Sequence, residues 1–330
     1  MNRMQSRYLG ISDKLFEEKI EKAAKILSDC SLCPHRCGAD RTRGETGFCR
    51  AQAESEAAHW QKHFGEEPPL SGECGAGTIF FSHCTMRCVY CQNYQISHQP
   101  DIKFVVTPSD LAGIMISLQE QGAQNIDLVS PTQYVPKIVE AVYLARGRGL
   151  EVPLVYNTNG YESAETLALL EGIIDIYLPD LKYSDDEEAE KYSKTPGYWK
   201  NASRALENMY AQVGDFLSDE QGRGRRGLIV RHLVLPENIS GSFKVFDFLK
   251  KKLSLNIGLS VMSQYAPCFQ AFRYEKINRK ISSAEYAKAV DYVEELGFRN
   301  CWIQEPQSSD DFFPDFDREN VFEDQDQNKQ

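Results

Sequence analysis

The 330-residue chain is 42% hydrophobic with a formal net charge of −11, apolar enough for a sizeable core and too acidic for a protein whose main partner is nucleic acid. No apolar run is long enough to cross a bilayer and the first residues lead into no secretory apolar core, so no membrane partner and a cytoplasmic location are expected. Ten cysteines in such a chain point to metal binding ahead of a disulfide framework.

The first predicted element is an amphipathic helix over Ser12 to Ser28, with Leu15, Phe16, Ile20, Ala23, Ala24, Ile26 and Leu27 at helical spacing and Ser12 or Asp13 as cap. It closes a segment 1–29 and leads into a Cys-rich stretch, Cys30-Ser31-Leu32-Cys33-Pro34-His35-Arg36-Cys37 and then Gly44 to Cys49. Two readings are open for Cys30, Cys33, Cys37 and Cys49. They close around zinc or a second iron–sulfur cluster, with Gly38, Gly44 and Gly47 allowing tight turns, or they stay reduced and pack a small subdomain. Residues 51–77 show little periodicity and read as a loop or short hairpin, with Glu66 and Glu67 more often solvated than facing a site.

From Thr78 strands and helices alternate, the pattern of parallel βαβ units. Strands are predicted at Thr78–Ser82, Ile126–Ser130, Val152–Asn157, Ile174–Pro179, Leu228–Leu235 and Ile257–Met262. Helices are predicted at Ser109–Gln121, Tyr134–Arg148, Ser163–Glu171, Asp185–Met209, Ser240–Lys251 and Ser282–Leu296, the last with a capping box. Six strands with crossover helices fit an α/β partial (β/α)6 TIM-like barrel over 78–304, whose chemistry belongs at the carboxyl ends of the strands. The basic, glycine-rich stretch Ser218 to Gly227 reads as a mobile loop. An acidic tail, 305–330, follows; Phe312, Phe313, Phe316 and Phe322 suggest that part of it docks and its last residues read as disordered.

The densest signal is Cys84-Thr85-Met86-Arg87-Cys88-Val89-Tyr90-Cys91 directly after the first predicted strand of the barrel. Three thiolates at this spacing converge on one soft-metal site, and a cubane held by three cysteines keeps one iron open. Buried free thiols, or a zinc site completed by His83 or His98, are the plain alternatives. The loop resembles the cluster loop of the radical S-adenosylmethionine (SAM) enzymes. Gly77 to Cys84 with Tyr90-Cys91-Gln92-Asn93 resembles in particular the activating enzymes of glycyl-radical proteins, relatives of pyruvate formate-lyase activating enzyme, in a branch with a Cys-rich leader.

The resemblance implies a [4Fe–4S] cluster on Cys84, Cys88 and Cys91, SAM as cofactor, and Tyr90 beside the adenine. At the strand ends it implies Asp180 and Lys182 on SAM and Arg231 on the SAM carboxylate or ribose. Ser130 and Thr132 stand where such enzymes carry a Gly-Gly-Glu motif, so their hydroxyls or carbonyls are candidates for the amine contact. Asn157, Asn159 and Gln264 are polar candidates at their own strand ends. The implied activity is reductive cleavage of SAM to a 5′-deoxyadenosyl radical for hydrogen abstraction, with a flavodoxin or ferredoxin as one-electron donor and a glycyl-radical enzyme as partner. No catalytic acid–base pair or nucleophilic triad is required. Another protein, peptide or small molecule as substrate is the second reading; an electron-transfer iron–sulfur protein or a zinc-binding protein is the reading from another class.

Overall fold

The computed structural model describes residues 4–98, 100, 104–305, 314–318 and 321–322. In chain order it holds α1 (Asp13–Ile26), β1 (Ser55–His63), α2 (Pro68–Ser71), β2 (Ala76–Phe81), α3 (Tyr94–Ser97), β3 (Phe104–Val106), α4 (Pro108–Glu120), β4 (Ile126–Val129), α5 (Val135–Gly147), β5 (Leu154–Thr158), α6 (Ala164–Leu170), β6 (Ile176–Pro179), α7 (Asp186–Ser193), α8 (Tyr198–Val213), β7 (Leu217–Ser218), β8 (Gly224–Leu233), α9 (Ser242–Lys252), β9 (Gly258–Met262), α10 (Ser283–Leu296) and β10 (Asn300–Ile303).

The sheet runs β10-β9-β8-β6-β5-β4-β2-β1-β3. Every pairing from β10 through β2 is parallel, and β1 pairs antiparallel with both β2 and β3. The fold is therefore an α/β partial TIM-like barrel whose sheet does not close. Its six expected strands are joined by β10, a further parallel strand on the edge. Strand ends that bear side chains into the lumen alternate with residues packed under the helices, which is why β2, β4, β5 and β6 are buried along their whole length.

Local signals place the helices. Ser12 accepts from Leu15 N to start α1, and capping boxes start α4 (Thr107, Asp110) and α10 (Ser282, Glu285). The predicted helix Asp185–Met209 is two helices. Lys194 and Gly197 adopt left-handed backbone on either side of Pro196, which cannot donate into a continuing helix. Of the two expectations for 51–77, loop or short hairpin, the structure has the second: the nine-residue β1 pairs antiparallel with β2, and its buried Glu56 is partnered by His83 at 2.6 Å. The basic stretch is not loose, since Asp219 receives both Arg223 and Arg225 beneath the β7–β8 hairpin.

Leu70 of α2 packs with Val155, Ile176, Leu178, Phe216 and Ile229 and seals the lumen from below. The Cys-rich stretch lies on the opposite, carboxyl-end side of the strands, where Thr166 Oγ1 donates to Leu32 O at 2.7 Å. Phe316 and Val321 of the acidic tail pack with Phe80, Ala58 and Val129; Phe312, Phe313 and the chain end lie outside the described residues. No helix among the described residues is long and apolar enough to cross a membrane.

Candidate active site

The loop after β2 carries Cys84, Cys88 and Cys91 to one end of a cavity of about 600 Å³ in the lumen. The turn into it is made by His83 in left-handed backbone, held by Glu56. Each thiol has its own donor or hydroxyl partner: Asn159 Nδ2 donates to Cys84 Sγ at 3.3 Å, Ser193 Oγ to Cys88 Sγ at 3.1 Å, and Cys91 Sγ shares a hydrogen bond of 3.2 Å with Ser97 Oγ. Burial pushes Cys88 and Cys91 up to about 12, so both carry protons until a metal displaces them.

Among the described residues no group of three or more Cys, His, Asp and Glu stands ready to grip a single metal ion. His83 and His98 do not line the cavity. Desolvation takes His98 down to about 4, with Arg87 acting in the same direction. Cys268, which the sequence did not single out, donates to Tyr90 O at 3.4 Å and is likewise absent from the cavity wall. Three inward thiols with separate donors fit a cubane bound through three corners.

Tyr90, Ser130, Asn157, Asn159, Asp180, Lys182, Arg231 and Gln264 all line the same cavity. Thr132 does not. It sits behind the wall and donates to Glu162 Oε1 at 2.6 Å, where Thr158 also donates and where Tyr156 reaches Oε2 at 3.3 Å. Ser130 adopts left-handed backbone, and its carbonyl is gripped by Gln133 Nε2, which also holds Ser82 O and His83 O. One amide thereby ties the ends of β2 and β4 together.

The Asp180–Lys182 pair closes at 2.5 Å. Burial pulls the Lys182 ammonium down, but Asp180 outweighs it and holds the lysine charged. Gln264 lies between Gln92 and Gln304: Gln92 Nε2 donates to Gln264 O at 3.0 Å and Gln304 Nε2 to Gln264 Oε1 at 2.9 Å. Tyr90 Oη meets Tyr183 Oη at 2.6 Å.

Arg231 is engaged in a way the sequence did not indicate. Its Nε and Nη2 donate to Glu67 at 2.7 and 2.6 Å, and Nη2 also meets Glu66. Glu66 and Glu67 are thus cavity residues, not solvated loop carboxylates. Burial would lift Glu66, but Arg231 and His63 outweigh it and lower it; burial and Glu66 together push the neighbouring Asp127 carboxyl well above the usual carboxylate range. Only the run Glu66-Glu67 before Pro68-Pro69 marked this pair in the sequence. Their partner lies 164 and 165 positions away.

A model of the radical SAM superfamily matches residues 78–215. The chain is 33% identical over 294 residues to the uncharacterized protein MJ0674 of Methanocaldococcus jannaschii, across 86% of this chain and 80% of that one. The chain belongs to the radical SAM superfamily. A second uncharacterized protein of that organism, MJ0808, is 24% identical over 245 residues, across 64% of this chain and 71% of that one. Among solved structures, Streptococcus suis SuiB bound to S-adenosylmethionine is similar at a TM-score of 0.48 and 13% identity, covering 68% of this chain and 48% of SuiB, about half its length. That likeness is distant and carries no functional conclusion. Membership in the radical SAM superfamily implies a [4Fe–4S] cluster and SAM, and the three-thiol end of the cavity suits the first.

Proposed function

We propose that this radical SAM protein cleaves SAM reductively at a [4Fe–4S] cluster held by Cys84, Cys88 and Cys91 and uses the 5′-deoxyadenosyl radical to take a hydrogen atom from a substrate in the cavity. The observation that carries this is the arrangement of the three thiols, each with its own hydrogen-bonding partner, at one end of a 600 Å³ space whose remaining polar wall is made by strand ends. A cluster bound there supplies the electron that breaks the C5′–S bond of SAM and leaves methionine.

The chain's own residues bind and orient. Asn159 spans from Cys84 to Thr85, to which Nδ2 donates at 2.8 Å, and so fixes the first ligand against the end of β5. Asp180, Lys182, Asn157, Ser130 and Gln264 offer charged and amide contacts to the amino-acid and ribose parts of SAM, with Tyr90 beside the base. Thr132 acts through Glu162 on the shape of this wall. Leu70 from below and the tail residues Pro314 and Phe322 from the side restrict water in the cavity.

On this reading the electron comes from a flavodoxin- or ferredoxin-type carrier and the substrate is the backbone glycine of a glycyl-radical enzyme. A different protein, peptide or small-molecule substrate is the second reading, and any of them would meet a cavity wall that includes Pro314 and Phe322. The test is anaerobic reconstitution followed by SAM and dithionite. Wild type yields 5′-deoxyadenosine and methionine, and Cys88→Ala yields neither; continued product formation by that variant refutes the assignment.

A further inference from the structure

We propose that Cys30, Cys33, Cys37 and Cys49 hold a second iron–sulfur centre, distinct from the one on residues 84–91. The four thiols gather from a stretch of twenty residues that folds back on itself: Cys30 N donates to Ala39 O at 3.2 Å and Gly38 N returns to Cys30 O at 3.1 Å. Cys30, Cys33 and Cys49 are buried and Cys37 is exposed. Cys30 and Cys49 each lie within electrostatic reach of Cys37, and Cys33 of both Cys30 and Cys49.

Two features suit a set of charged sulfurs. Gly47 leaves room for one sulfur, since a Cβ there would stand 2.1 Å from Cys37 Sγ. The Cys37 thiol is therefore tucked under the 44–49 turn although its residue reaches the surface. The second is Arg41, 2% exposed. Its Nη1 donates to Gln133 O at 2.7 Å and its Nη2 to Gln52 O, while Nε is buried with no hydrogen-bond partner. The guanidinium lies against the Cys30 thiol and within reach of Cys49. A buried cation with an unmet N–H beside several thiols suits a site that carries negative charge on sulfur.

A tetrahedral zinc would draw four sulfurs to about 2.3 Å from one point, whereas a cubane places each thiolate on a separate iron, so the metal counts below separate the two. The stretch is also fastened to the other cysteine loop. Arg87, between Cys84 and Cys88, donates from Nη2 to Phe48 O at 3.1 Å and Cys49 O at 3.3 Å, and His35 Nε2 meets Thr85 O at 3.0 Å. The two centres would share one rigid wall.

The experiment is anaerobic isolation and reconstitution of the full chain with iron, sulfide and zinc counts and electron paramagnetic resonance of the reduced protein. Wild type is compared with Cys84→Ala/Cys88→Ala/Cys91→Ala and with Cys30→Ser/Cys33→Ser. The expected result is that each variant keeps half the iron of wild type, about four irons per cubane. The signal left in the first is indifferent to SAM and the signal left in the second responds to it. A triple variant without iron, or with one zinc per chain in its place, overturns the proposal. If the leader variant does not fold, the triple variant alone decides. This is independent of the proposed function: iron retained by the triple variant while wild type fails to cleave SAM would leave the second centre standing and remove the other reading.

Discussion

Glu162 offers a sharp test of how the wall of the site is held. Glu162 is 3% exposed and its carboxyl collects Thr132, Thr158 and Tyr156, so it joins the segment after β4 to the end of β5, which carry Ser130, Asn157 and Asn159. Burial raises it from 4.5 to about 7, with the three hydroxyls pulling only part of the way back. A carboxyl raised in the folded state contributes stability that is full below its unfolded value and is lost as the pH climbs through its folded value. The whole shift is worth on the order of 3 kcal/mol, of which about 2 kcal/mol falls between roughly pH 5.5 and pH 8. Glu162→Gln keeps the shape and the acceptor oxygen but cannot ionise. Unfolding free energies of wild type and variant from urea titrations across that range should therefore diverge by about 2 kcal/mol in favour of the variant at the alkaline end. Asp175, also raised to about 7 by burial, and His232, lowered to about 4 by burial, titrate in both chains and cancel in the difference. A gap between the two chains that does not change with pH would refute the reasoning.

Gly160 adopts left-handed backbone, and a Cβ there would stand 2.7 Å from Asp180 O; Gly160→Ala should force the ends of β5 and β6 apart, lower the melting temperature and cut SAM cleavage at least tenfold. Arg231→Met leaves Glu66 and Glu67 buried without their cation, a loss of about 3–5 kcal/mol in urea unfolding. An unchanged midpoint would show that the triad is not a buried unit. Lys182→Met should weaken SAM binding in calorimetry by roughly tenfold or more, about 1.4 kcal/mol, while leaving the iron content unchanged. Loss of iron in that variant would mean that Lys182 supports the cluster loop instead. Phe316→Ala/Phe322→Ala uncovers Phe80, on which both rings pack at 5.3 and 5.9 Å. Faster proteolysis of the tail is expected, and unchanged cleavage would count against docking.

What the sequence reveals here follows the range of the interactions. Cys84, Cys88 and Cys91 are legible because their spacing and a preceding strand are local, and Asp180 and Lys182 because strand alternation puts them on one face. The barrel strands read easily for the same reason, each being a short apolar run between turn signals. β1 does not: its Glu56 and His63 are buried, and what makes burial tolerable is a histidine 27 residues on and a glutamate beyond the strand. β10 is a four-residue edge strand, partly exposed, with no alternation of its own. Thr132 looked like a site residue because it follows a strand end, but a buried carboxyl thirty positions later draws it behind the wall. Periodicity bridged Lys194 to Gly197 because apolar positions continue on both sides, although Pro196-Gly197 is itself a breaker signal.

The charges on the cavity wall divide the labour among the site residues. Arg231 serves two buried carboxylates, so turning it toward the SAM carboxylate would leave Glu66 and Glu67 without their cation, at a cost that a surface-like contact cannot return. Lys182 serves one, and Asp180 keeps a quarter of its side chain exposed, 26%, so the carboxylate can turn outward once a ligand carboxylate takes its place on the buried Lys182. SAM brings a carboxylate together with an ammonium and a sulfonium. Exchange of the Asp180–Lys182 contact for two contacts to such a ligand conserves the number of opposed charges, whereas exchange at Arg231 does not. On the proposed function the polar end of SAM therefore belongs to β6, and Arg231 acts as the tie that holds the Glu66–Glu67 turn inside the barrel.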